Sequence, residues 1–180
     1  MPTAAENFWY TCQLALPEEI PLCGLSVAGI TDVWLTLQSI KKIDTDNNGL
    51  ILDIFDSTSS YLTALRLPIP QFLAGYVENQ ELTDNGLRYT GVLTASSKGY
   101  NHILTQYLLK YSQSKFNAVI KTAENQYWFI QNLRYASNVL TNGILGTEIT
   151  GRLITLNSNS LDPARQLSSF AIANITFTTI

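Results

Sequence analysis

Asp44, Asp46, Asn48 and Gly49 stand at the first, third, fifth and sixth places of DTDNNGLILDIF, residues 44–55. Oxygen ligands at alternating places, followed by a glycine, form the opening half of an EF-hand calcium loop. The closing half is missing. The twelfth place, which needs a bidentate Glu, is Phe55; Asp56 comes one residue late, and the ninth place is Leu52. An EF-hand loop also needs a helix on each side, whereas the flanks here read as β runs. Asp46-Asn47-Asn48-Gly49 between two such runs reads as a hairpin turn, because Asn and Gly tolerate positive φ.

Other chemical groups are sparse. His102 is the only histidine. It falls in the first turn of a predicted helix, where the dipole disfavours a positive imidazole, so a surface or capping role is expected. With no second histidine, and with Cys12 and Cys23 far off in sequence, no transition-metal set is expected. The two cysteines read as buried thiols, with a bridge between them left open. Glu78, Glu81 and Asp84 form the densest remaining acidic group and read as solvated charges in a polar loop. No phosphate loop, nucleophile elbow or dinucleotide fingerprint occurs. Lys41-Lys42 and Lys110 with Lys115 are too few for a nucleic-acid face. Asn174-Ile175-Thr176 matches a glycosylation acceptor, but MPTAAENFWYTCQ lacks the basic and apolar regions of a secretory signal. The expectation is a protein that is not an enzyme and uses no cofactor or metal.

The aromatic residues say more. Phe8, Trp9 and Tyr10 form a triplet in an irregular lead-in, and must be covered by the chain's own core or by a neighbouring subunit. Tyr127, Trp128 and Phe129 run consecutively, so both faces of that segment carry large rings. A strand bulky on both faces is sandwiched in a core or buried at an interface; a sugar-binding platform is a further option. Phe8, Trp9, Tyr10, Tyr127 and Trp128 are the candidate assembly residues.

Charged residues make up 14% of the 180-residue chain and hydrophobic residues 46%. About 25% charged is usual, so Ser, Thr and Asn supply the surface polarity. Desolvating a hydroxyl or amide costs less than desolvating an ion, and such a surface suits a subunit of an assembly. The net charge of −3 argues against nucleic acid or anionic membrane as the main partner. No apolar run is long enough for a transmembrane helix.

Residues 1–29 read as an extended arm, and residues 30–180 as one β-rich domain. Strands are expected at 30–37, 50–55, 61–67 and 87–95, the last with a bulge at Gly91. Residues 71–86 read as a polar, turn-rich loop. Residues 101–114 carry a helical stripe of Ile103, Leu104, Tyr107, Leu108 and Tyr111. Residues 116–133 read as a hairpin turning at Ala123-Glu124-Asn125, and residues 139–150 as a loop or bent ribbon. Closing strands are expected at 151–156 and 170–180. Seven or more strands and one amphipathic helix predict a mainly β fold, a β-sandwich or partly closed barrel with the helix at one side.

An aromatic arm, strands, one mid-chain helix, a hairpin and a closing strand follow one another in this order. With the segments CGLSVAGITDVWLT (23–36), NQYWFIQNL (125–133) and GTEITGRLITL (146–156), the chain resembles bacteriophage virion structural proteins, in particular the tail tube subunits of phages and contractile injection systems. The resemblance implies stacked hexameric rings whose strands close a continuous inner barrel. DNA passes through it without sequence-specific binding. It implies partners among sheath, connector or capsid proteins, a place in the virion after synthesis in the host cytoplasm, and no membrane. Phe8, Trp9 and Tyr10 would anchor the arm on a neighbour, and the 71–86 segment would reach the next ring or the sheath. A capsid decoration protein, a head–tail connector and a carbohydrate-binding β-sandwich are the alternative roles.

Overall fold

Alternation along the first strand sets the architecture. In β1 (Ile30–Thr36), Val33 and Leu35 point to one side and Trp34 to the other, and all three are buried. A strand can bury both faces only when each is covered by a separate layer. The computed structural model supplies two such layers over the residues it describes, which are 29–58, 60–70, 73–84, 86–98, 102–141 and 151–179. The aromatic triplet, both cysteines and the rest of the arm before Gly29 lie outside the described residues, as does 142–150.

The chain continues through β2 (Ile40–Thr45), β3 (Ile51–Asp56), β4 (Thr63–Arg66), β5 (Ala74–Thr83) and β6 (Gly86–Lys98) to the helix α1 (His102–Lys110). Then follow β7 (Lys115–Thr122), β8 (Tyr127–Thr141), β9 (Gly151–Ser160), the short β10 (Arg165–Gln166), α2 (Ser169–Asn174) and β11 (Thr176–Thr179). The main sheet runs β10-β8-β9-β6-β5-β1-β4-β11, and β7 pairs with both β1 and β8. That extra pairing curls the sheet into a ring of β1, β7, β8, β9, β6 and β5. The seam between β5 and β1 is held by a single pair, Ile30 with Ala74, so the barrel is only partly closed. The protein is mainly β, as its patterning predicts.

The inner layer fills the barrel. Val33, Leu35, Leu93, Phe116, Ile120, Ile130, Leu133, Ile154 and Leu156 meet there, joined by Leu104 and Leu108 of α1. The outer layer lies on the far side of β1, β7 and β8. Trp34, Val119 and Phe129 are covered by Ile51 and Ile54 of β3, Leu62, Ala64, Leu167, and Ala171 of α2. Each fully buried side chain of this size contributes roughly 1.5–3 kcal/mol relative to exposure, so two clusters on opposite faces hold these central strands firmly.

Four expectations change. Residues 74–83, within the loop expected over 71–86, form β5 and pair with β6 in unbroken register to Thr83–Gly86. Beyond Tyr76, which packs on the core, the hairpin is polar because it runs past the rim of the barrel, where residues 79–82 are exposed. Gly91 is not a bulge, since its pairs with Glu78 and Ser158 are regular. A Cβ there would collide with Ser158 Oγ and the Tyr76 ring, so the glycine allows a close approach instead. Residues 139–141, expected within a loop or bent ribbon over 139–150, belong to β8, which continues to Thr141, and the rest of that segment lies outside the described residues. The closing strand of residues 170–180 splits into α2 and β11. Ser168 Oγ accepts from Ala171 N at 3.1 Å and caps the short helix, and β11 then pairs parallel with β4. There are accordingly two helices among the described residues, not one.

Candidate assembly surface

The calcium-like stretch is a turn between β2 and β3. Asp46 Oδ1 accepts from Asn48 N at 2.9 Å and from Leu50 N at 2.8 Å, while Gly49 takes φ +83°. Asp44 is drawn to Lys42 at 2.7 Å. Asp53 accepts from Ile54 N and Asn174 Nδ2. The carboxylates diverge to these local donors. No cluster of His, Cys, Asp and Glu among the described residues converges on a metal.

The acidic group of the predicted loop is divided by the hairpin. Glu78 Oε2 accepts from Tyr76 Oη at 2.6 Å and from Ala164 N at 2.9 Å, and is consumed in holding the residues after β9 to β5. Burial pushes the Tyr76 hydroxyl well above its ordinary pKa, and the Glu78 carboxylate adds to the shift, so Tyr76 stays a donor. Glu81 and Asp84 stand exposed near the hairpin tip. His102 opens α1.

Tyr127 and Trp128 fall on opposite faces at the start of β8. Tyr127 packs beside Trp34 and Phe177 in the outer layer, with ring centroids 6.0 and 6.3 Å away. Trp128 packs on the inner layer. Both are half-buried. The triplet Phe8-Trp9-Tyr10 lies outside the described residues.

The feature that sequence patterning missed is a bare sheet face. β5, β6, β9 and the second half of β8 form an antiparallel run of four strands, in that order. One face of these strands packs on the inner layer. The other is uncovered among the described residues. Its rows include Val77–Val92–Asn157–Arg134–Lys115 and Gly75–Thr94–Thr155–Ser137. Val77 is 63% exposed and Val139 is 52% exposed. The transition from doubly covered to bare occurs at a β7–β8 irregularity. There Asn132 takes φ +57° and donates its N–H to Asn117 Oδ1 at 3.2 Å. Such a bulge bends the strand and increases its twist.

Among the described residues, this four-stranded run has an unpaired edge on each side. β5 meets β1 only at Ala74, which leaves residues 75–83 without a ladder partner on that side. β7 leaves β8 at Arg134, which does the same for residues 135–141. Neither edge contains Pro or Lys, the residues that usually blunt an exposed strand. Beside the second edge lies a concavity of about 630 Å³ lined by Arg88, Lys115, Arg134, Asn132, Asn157 and Asn159. No family model, curated protein or solved structure matches the chain.

Proposed function

We propose that the protein is a virion structural subunit, a tail tube protein that self-assembles into stacked hexameric rings forming a conduit for DNA. The observation that carries this reading is the pair of unpaired edges on one four-stranded antiparallel sheet. An even number of alternating strands begins and ends in opposite directions. Copies related by rotation about an axis along the strands therefore meet β8 against β5 antiparallel, and the alternation continues from copy to copy. Such heterologous contacts close when the rotation permits, and closure removes edges that would otherwise promote aggregation.

Size supports the reading as well. Six copies would contribute about 24 strands. At about 4.8 Å between strands and a tilt of about 40°, the barrel backbone is about 45–50 Å across. Side chains of roughly 7 Å on each side then leave a lumen of about 30–35 Å, wider than a DNA duplex. The face turned inward would be the bare one, because the other is occupied by the core. Its hydroxyl- and amide-rich rows suit a passage without base-specific contacts.

The test is the oligomeric state of the purified full chain, by light scattering and negative-stain microscopy. Rings or tubes are expected. A strict monomer at every concentration overturns the proposal, and discrete trimers without tubes favour a decoration protein. Val77→Lys and Val139→Lys place a charge beside each edge at exposed positions. Both variants are expected to keep the wild-type Tm within a few degrees and to lose ring formation.

A further inference from the structure

Most of the cations whose side chains are described have a partner. Lys42 pairs with Asp44, Arg66 with Asp32 and Arg165 with Asp162. Arg152 donates to Asn138, and Lys110 and Lys121 lie over tyrosine rings. Lys41 also has a partner. Among the cations whose side chains are described, Arg88, Lys115 and Arg134 alone make no such interaction, and all three line the concavity beside the β8 edge. Lys115 and Arg134 are also directly opposed on β7 and β8. Like charges so placed are destabilising unless an anion lies between or over them.

The acids show the complementary pattern. Of the described carboxylates, only Glu81, Asp84 and Glu124 lack an ion pair or hydrogen bond, and the first two flank the tip of the β5–β6 hairpin. Glu81 faces Arg88 across the hairpin without pairing to it. We infer that the acidic hairpin tip of one copy, through Glu81 and Asp84, seats in the Arg88–Lys115–Arg134 concavity of the next copy in the ring.

Strand direction carries the inference beyond charge counting. Antiparallel pairing of one copy's 135–141 edge with the next copy's 75–83 edge sets rising β5 numbers against falling β8 numbers. The tip of β5 therefore arrives at the end of the β8 edge where Tyr135 gives way to Arg134 and Lys115. Arg134 and Lys115 share the bare face with Asn157 and Val77, and Glu81, four residues after Val77, shares it too. The pairing also removes unpaired positive charge from the surface that would line a DNA passage.

This inference rests on the ring reading, and one experiment separates their failures. The full chain is compared with Lys115→Glu/Arg134→Glu, with Glu81→Lys/Asp84→Lys, and with the fourfold charge-swapped chain. All four positions are exposed, and circular dichroism and Tm verify folding. Each double variant alone is expected to need at least about tenfold more protein to assemble. An equimolar mixture of the two, and the fourfold variant, are expected to regain wild-type assembly. A wild-type chain that never assembles overturns the ring and this contact together. A wild type that assembles no better than the double variants, or a mixture that gives no rescue, overturns the contact alone. Loss of binding to a short oligonucleotide in Lys115→Glu/Arg134→Glu, with assembly intact, assigns the concavity to nucleic acid and likewise overturns it.

Discussion

Gly91 and Asp56 show how single residues set local structure. At Gly91 the Tyr76 ring lies where a side chain would stand, with Cε2 2.8 Å from the Cβ position. Gly91→Ala forces the ring or Ser158 aside and is expected to cost about 2 kcal/mol, read as a Tm lower by about 4–8 °C. Asp56 is buried at the start of the turn after β3. Its carboxylate accepts from Thr58 Oγ1 at 2.8 Å, Ser60 N at 2.8 Å, Thr58 N at 2.9 Å and Gln38 Nε2 at 2.9 Å. The Thr58 hydroxyl, then the Ser60 amide, hold its pKa below the ordinary 3.8 against the opposing effect of burial. A depressed folded pKa contributes stability that is whole above 3.8 and lost as pH falls from there through the folded value. The Tm advantage of the wild type over Asp56→Asn is expected to be constant near neutrality and to shrink below about pH 4. A gap unchanged down to pH 2 would show that the charge is irrelevant.

Among the elements, α2, like β5, has a sequence that reads against its structure. FAIANITFTT alternates over most of its length, as a strand would. Yet the capping serine at 168 and the burial of Ala171 against β3 favour a helical turn and a half before β11 begins. A lone serine before an alternating run carries too little local signal to outweigh period two; the covering of Trp34 and Phe129 supplies the rest. Ser168→Ala should leave Ala171 N without its acceptor and lower stability by about 1 kcal/mol, measurable as a reduced urea midpoint at unchanged slope. β8 is the converse case. Its Tyr-Trp-Phe run announces burial on both faces, and it lies between the two layers as that pattern demands. Beyond the bend at Asn132 the same strand turns polar on one side, and beyond Arg134 it has no partner on the β7 side among the described residues.

At the scale of the molecule, the two layers leave a definite remainder. One half of the barrel is covered inside and out. Among the described residues, the other half, β5-β6-β9-β8, is covered inside only and ends in two open edges. A chain so poor in charge presents few ions to keep another copy away, and the three cations left unengaged among the described side chains gather at one of those edges. The proposed ring and its proposed charge contact both rest on this asymmetry, and both are tested through assembly rather than through any property of the isolated subunit.

By itself the sequence determined the β character, most strand positions, the α1 stripe and the turns at Gly49 and Asn125, because period, propensity and positive-φ residues act over a few neighbours. It also read the calcium-like stretch as a turn, from ligand spacing and the β character of its flanks, and a turn joins β2 and β3 there. Only the tertiary structure decided that residues 74–83 are a strand, that Gly91 yields to Tyr76 rather than bulging, and that Arg88, Lys115 and Arg134 meet. A polar strand beyond a barrel rim has no burial to impose a period on its sequence. Cations on three different strands become neighbours through register, which no local pattern encodes.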